Sequence, residues 1–267
     1  MQVLNRQSIA LDFQDVVLRC SRRDTNFLTP PWNLQIRRGD KVAVMAQDRK
    51  IRDEFLGCIC GLIQPVSGQI YSRCRISWPV GFKGGLDGKL TLAQNIRFLE
   101  VVYEDCVAPV DPNKFFKSLC LLAGLTPDQR LKSLKSKDQK IFYNIVSMIF
   151  SFDVLLVPSA QYLVKNNKDN VSKYLNQVFE KRIEKNCMIT SSNDRKFLRQ
   201  YCNSGILFDA FGQLVFQGPL DECFACKKSL SSENEDSNDD DMVDESVFSE
   251  KLSNEGSGVD FNLMDLI

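Results

Sequence analysis

The chain has 267 residues, 43% of them hydrophobic and 25% charged, enough to bury a core in one globular domain with an appendage or in two small domains. Its formal net charge of zero hides an asymmetry: residues 229–267 hold 12 acids and one lysine, which leaves 33 bases against 22 acids, a net +11, in the rest. With no histidine in the chain, the one C-x-x-C, Cys223-Phe-Ala-Cys226, lacks the further ligands of a zinc site, so no metal is expected and a plain helix turn is the reading. The ten scattered cysteines, with no secretory signal before them, predict free thiols in a reducing compartment.

In chain order, β-type runs at 8–20 and 32–45, separated by a turn-prone stretch ending at Pro30-Pro31, predict two or three opening strands. A strand at 42–45 leads through a short loop to a helix over 52–63, which closes at Gln64-Pro65-Val66-Ser67-Gly68. Strands at 69–71 and 75–78 follow, then a glycine-rich loop at 81–88. Apolar residues at three- and four-residue spacing in 92–99 and 114–122 mark a helical subdomain over about 86–152. The run 141–157 is broken by Asn144, Ser147, Ser151 and Asp153 and is short for a membrane span, so it reads as a buried helix followed by a buried strand. Strands at 154–157, 187–190, 205–208 and 213–217 alternate with helices at 171–185 and 194–202, the pattern of an α/β sheet with a parallel portion. The expected organisation is one domain over 1–228 and an acidic tail over 229–267, disordered by composition. That tail either docks on a basic surface, on the body or on a partner, or only solubilises; its apolar end, 261–267, has the form of a short docking peptide.

The stretch AVMAQDRKIRDEFL carries the main question. A phosphate-binding loop of the form G-x-x-x-x-G-K-[ST] fits between Met45 and Phe55 without a gap, yet none of its four defining positions matches. Its glycines fall on Ala46 and Ile51, its lysine on Arg52 and its hydroxyl on Asp53.

Three stretches give the chain a family likeness: the frame Gly39-Asp40-Lys41-Val42-Ala43-Val44-Met45 with Gly61-Leu62-Ile63; the segment Ser77-Trp78-Pro79-Val80-Gly81-Phe82 with Gln94-Asn95-Ile96-Arg97-Phe98; and Phe152-Asp153-Val154-Leu155-Leu156-Val157. Together they resemble the nucleotide-binding subunit of an ABC transporter, above all the ATP-binding subunit of capsular polysaccharide exporters, over most of residues 8–222. The resemblance implies an ABC-type P-loop NTPase-like α/β core with an inserted helical subdomain. It also implies the places where chemistry is missing. The magnesium Asp and general-base Glu fall on Pro158 and Ser159, and the signature on Lys135-Ser136-Lys137-Asp138-Gln139. The magnesium-watching glutamine falls on Asp87, the adenine-stacking aromatic falls near Cys20, and the switch histidine is absent.

On this reading Ile51 obstructs the approach of phosphate, and Asp53 and Glu54 oppose it electrostatically. One such charge at about 4 Å costs roughly 4 kcal/mol at an effective dielectric of 20, about a thousandfold in affinity. The expectation is a subunit without a cofactor that does not hydrolyse Mg-ATP, the general base being worth about 10²- to 10⁴-fold. ATP and magnesium enter only in the alternative of a divergent ATPase using Arg52. A soluble scaffold acting through its tail is the third reading. The resemblance further implies a permease partner touching Trp78, Phe82 and Asp87, and a place on the inner face of the cell membrane. It allows a homo- or heterodimer, in which a protomer lacking both phosphate loop and signature spoils both ATP sites. Against these stand plainer readings: Trp78 as core, and Lys50, Arg52, Lys135 and Lys137 as a charged helix start and a solvated loop, not an anion site. The body's basic residues are dispersed without an aromatic platform, so nucleic acid is not an expected partner.

Overall fold

A computed structural model of the chain describes residues 8–22, 25–106, 112–159 and 170–232. Five strands open it: β1 (Ile9–Val17), β2 (Arg19–Arg22), β3 (Thr25–Leu28), β4 (Trp32–Arg37) and β5 (Lys41–Ala46). Helix α1 (Arg49–Ile59), β6 (Ser67–Ser72) and β7 (Ile76–Pro79) follow, then the helices α2 (Leu92–Val102), α3 (Pro112–Ala123) and α4 (Ser136–Ile149). The second half comprises β8 (Val154–Val157), α5 (Asn170–Lys185), β9 (Cys187–Thr190), α6 (Arg195–Tyr201), β10 (Ser204–Phe208), β11 (Leu214–Pro219) and α7 (Leu220–Ser232).

The strands divide into a six-stranded sheet of order β11-β10-β5-β9-β8-β7, a three-stranded sheet of order β4-β1-β6 and the hairpin β2-β3. The large sheet is parallel except at β11, which runs antiparallel to β10. The small sheet is antiparallel. A parallel strand buried on both faces has no polar side, and β5, KVAVMA, shows why its sequence runs apolar. Val42, Val44 and Ala46 enter the core facing the small sheet, while Ala43 and Met45 enter the core facing the helices. Phe55 of α1 is the centre of the first core, stacked on Phe13 at 5.3 Å between ring centroids and flanked by Trp32 and Phe208. The Trp32 indole N–H donates to the Gly212 carbonyl at 2.6 Å, tying the first strands to the last hairpin.

The helical subdomain lies between β7 and β8, as its periodicity predicts. Thr91 and Gln94 form a reciprocal capping box that starts α2, the arrangement a T-x-x-Q sequence encodes. Cys223 and Cys226 lie one turn apart in α7, in agreement with the helix-turn reading. No described helix is long and apolar enough to cross a membrane.

Three expectations need correction. The opening holds five strands, since 25–28, read as part of a turn, pairs with 19–22 as a hairpin. Helix α1 starts at Arg49, earlier than predicted, and ends at Ile59. The start of the tail is helical: α7 continues to Ser232, and the remaining acidic residues lie outside the described ones.

Candidate functional site

The early start of α1 decides the geometry at the phosphate-loop position. β5 ends at Ala46 and α1 begins at Arg49, so Gln47 and Asp48 are the whole connection. A phosphate-wrapping loop needs glycines whose backbone can turn N–H groups inward. Here arginine, lysine and isoleucine favour or tolerate the helix, and Asp48 is a strong N-cap residue. Its carboxylate accepts from the Lys50 N–H at 2.9 Å and occupies the start of the helix with negative charge. Gln47 extends the strand pairing by donating its backbone N–H to the Phe208 carbonyl at 3.3 Å, and its side-chain amide donates to the Leu230 carbonyl of α7 at 3.2 Å.

Each loop position has a definite place. Ala46 is the buried end of β5. Ile51, expected to stand before the helix and obstruct phosphate, is a helical residue with no exposed surface, one turn ahead of Phe55 in the same core. Its side chain packs α1 onto that core. Asp53 pairs with Arg49 at 3.5 Å, and Lys50 is exposed. Arg52 is 5% exposed, and its guanidinium donates to the Ser191 carbonyl at 3.2 Å and to the Asn193 side-chain oxygen. Ser191 in turn donates its hydroxyl to the Pro158 carbonyl at 3.2 Å. The ends of β8 and β9 are thereby joined at Ser191, a residue sequence reasoning missed, which is bonded both to Arg52 of α1 and to Pro158. Ser159, beside Pro158, is 9% exposed. The run Ser191-Ser192-Asn193-Asp194 gave a signal: short polar residues between a strand and a helix make turns and caps. Asp194 caps α6 by accepting from Lys196 and Phe197 N–H groups at 2.9 and 3.2 Å.

The signature positions Ser136, Lys137 and Asp138 form the first turn of α4, behind Lys135 at the N-cap, which gives no side-chain cap. Asp138 there favours the positive end of the helix. No described contact joins them to Arg52.

A second site lies beside the glycine-rich loop. A groove of about 500 Å³ is lined by Cys60, Trp78, Phe82, Gly84, Gly85 and Tyr103. Trp78 is neither fully core nor free: it packs on Tyr103, Phe150 and Phe152 at 5.2, 5.9 and 5.4 Å while lining the groove. Gly84, at φ 57°, takes a conformation few other residues adopt, and a Cβ there would lie 3.3 Å from the Trp78 ring. Burial pushes the Cys60 thiol up to about 11, so at neutral pH it stays protonated and apolar in character. Gly85 on the groove's edge lies close to Phe98 of α2, a helix on which Phe98, Val101 and Val102 are 46%, 76% and 53% exposed. Asp87 is held by Asn95, a fully buried residue that sequence reasoning placed in the family-like segment without a role. Asn95 accepts from the Asp87 N–H at 2.8 Å and donates to its carbonyl at 3.0 Å, while the Asp87 carboxylate takes the Lys89 N–H at 2.7 Å.

No family model matches the chain. It is 29% identical over 202 residues, 74% of its length and 89% of the relative's, to the polysialic acid transport ATP-binding protein KpsT of Escherichia coli. It is 22% identical over 198 residues, 74% of its length and 88% of the relative's, to the capsule polysaccharide export ATP-binding protein CtrD of Neisseria meningitidis serogroup B. Among solved structures, the ATP binding subunit of an ABC transporter superposes with a TM-score of 0.60 at 16% identity, covering 83% of this chain and 94% of that one. A dimeric ATP-binding cassette bound to ADP and Pi superposes with a TM-score of 0.59 at 14% identity, covering 79% and 98%. The fold is that of ABC nucleotide-binding domains, and the relatives are ATP-binding proteins of capsule and polysaccharide export, in agreement with the resemblance drawn from the sequence.

Proposed function

We propose that this chain is a subunit of a polysaccharide-type ABC export system that contributes shape and a coupling surface and does not turn over Mg-ATP. The observation that carries the reading is the closure of the phosphate position by the chain's own groups. A two-residue connection replaces the loop, Asp48 holds the helix start, and Arg52 is committed to Ser191 and Asn193. A phosphate entering there meets a carboxylate at the helix start and needs the first turn of α1 to unwind. Pro158 and Ser159, at the end of β8, offer neither a carboxylate for magnesium nor a general base. Magnesium and ATP are therefore not cofactors of this reading.

The partner is a membrane permease received on the Trp78 and Phe82 groove and the exposed apolar face of α2, which puts the chain on the cytoplasmic face of the membrane. Asp87, its carboxylate engaged within its own turn, borders that surface. Apolar surface of this extent beside a preformed groove is characteristic of a protein contact. A second reading, a divergent ATPase that powers export, is favoured by the relatives, which are named as ATP-binding proteins and align with the chain over 89% and 88% of their own length. Calorimetric titration with Mg-ATP, paired with a phosphate-release assay, separates the two. We expect neither heat of binding at micromolar nucleotide nor turnover; micromolar binding together with turnover overturns the proposal in favour of the ATPase.

A further inference from the structure

The small sheet ends on one side at a strand with a free edge. β6, SGQIYS, pairs with β1, and among the described residues the backbone of 67–72 makes no hydrogen bond to any other segment. Such an edge presents a row of N–H and C=O groups that another strand can pair, and folded proteins ordinarily blunt it with charged side chains or proline. β6 has neither: its six residues are uncharged, five of them are exposed and Ile70 is half-buried. Beneath the strand runs an open groove of about 510 Å³, lined along β6 by Gly68 and Ile70 and faced by Ile59, Ile63 and Ile76.

The side chains of this edge are complementary to themselves. In an antiparallel pair centred on Ile70, Gln69 of each copy stands opposite Tyr71 of the other. Those two side chains already bond within the chain, the Tyr71 hydroxyl donating to Gln69 Oε1 at 2.5 Å. Cross-strand pairs of this kind stabilise a sheet, and like charges placed opposite each other destabilise it. The same register sets Ser67 opposite Arg73, an exposed residue directly beyond the strand. At that end Gly68 is pressed against β1, where a Cβ would lie 2.1 Å from the Asp15 carbonyl oxygen, so the exposed Asp15 stands beside the seam. Asn33 holds the Asp15 carboxylate, donating to its Oδ1 at 2.8 Å. Each copy thus brings a cation, Arg73, toward a held carboxylate of the other, while the strands themselves bring no like charges together.

We infer that β6 is an interface between two copies of this chain, its free edge pairing antiparallel with the same edge of a second copy across a twofold axis at Ile70, so that two three-stranded sheets become one of six strands. The inference is independent of whether nucleotide is turned over and of what occupies the Trp78 groove. A seam of six residues per copy falls below about 1,200 Å², the small end of specific interfaces, and belongs to a weak dimer. The test is sedimentation equilibrium of the full chain without nucleotide. We expect the average mass to rise with concentration from 30.4 kDa toward twice that, with a Kd on the order of 10–100 µM. Gln69→Lys/Tyr71→Lys sets lysine against lysine at exposed positions and is expected to weaken association by about tenfold or more, as is Gln69→Glu/Tyr71→Glu. Mixing the two variants, each first shown by thermal unfolding to be folded, is expected to restore association to about the parental strength. A monomer at every concentration overturns the inference and leaves the edge to a strand of another protein. So does a dimer that both variants leave intact, which assigns the pairing to a different face, and so does a loss that mixing does not reverse.

Discussion

The two ends of this molecule differ in what has been done with the space an ABC fold leaves open. At the phosphate end, ordinary side chains fill it: Asp48 caps the helix, Ile51 is wholly buried and Arg52 ties α1 to the segment after β9. At the glycine-rich end, Gly84 and Gly85 keep a groove open beside Trp78, and α2 leaves Val101 three-quarters exposed. An interior polar network resists change because each buried partner left behind loses its bond. An open apolar groove tolerates change in stability and is sensitive in binding. On the proposed function, the first end is structural and the second receives the partner.

The largest effect tests whether the phosphate end is truly built into the core. Ile51→Gly, a change toward the phosphate-loop pattern, removes a fully buried side chain and puts glycine inside a helix, a loss of about 4 kcal/mol. Thermal unfolding is expected to fall by roughly 8–16 °C, with no gain of nucleotide binding. Next, Arg52→Met keeps the length and strands the Ser191 carbonyl and Asn193, costing about 2–3 kcal/mol by chemical denaturation. Asp48→Ala removes the cap, about 1 kcal/mol, whereas Asp48→Asn retains it.

A pH titration then probes the clamp between β7 and β8. Burial raises the Asp153 carboxyl but the Arg75 hydrogen bonds outweigh it, so its folded pKa lies below the usual carboxylate value. A depressed carboxylate stabilises above its unfolded pKa and loses that contribution as pH falls through the folded one. Stability is therefore expected to drop in acid, by less than about 1 kcal/mol for a pair this exposed, and Asp153→Asn removes that component. The smallest stability effect belongs to the groove: Phe98→Ser/Val101→Ser is expected to change unfolding by less than about 0.5 kcal/mol. It should nonetheless reduce copurification with a permease severalfold; retention of the partner would break the contrast.

Periodicity located the strands of the parallel sheet and the helices between β7 and β8, because a strand buried on both faces or a helix with one apolar stripe writes its environment into its composition. The start of α1 was misplaced for a physical reason: aligning a loop motif onto QDRKIRD presumed a loop, while the residues themselves are an N-cap followed by helix-compatible side chains. β3 was hidden because hairpin strands of four residues carry too little pattern beside Pro30 and Pro31. At the site, the identities of Arg52 and Pro158 were legible, but their meeting was not. It runs through Ser191, 139 residues from Arg52 and 33 from Pro158, and separation of that kind leaves no local trace.

The position of β5 also bears on how the protein is made. Its two neighbours in the sheet are β9 and β10, with Ala43 opposite Thr190 on one side and Gly205 on the other. At about 5–20 residues per second on the ribosome, the apolar strand KVAVMA waits on the order of 7–30 seconds for either partner to be synthesised. Throughout that interval both of its hydrogen-bonding edges are open to other chains. Yield in the cell is thus expected to depend on chaperone capacity more steeply than the finished fold's stability would suggest.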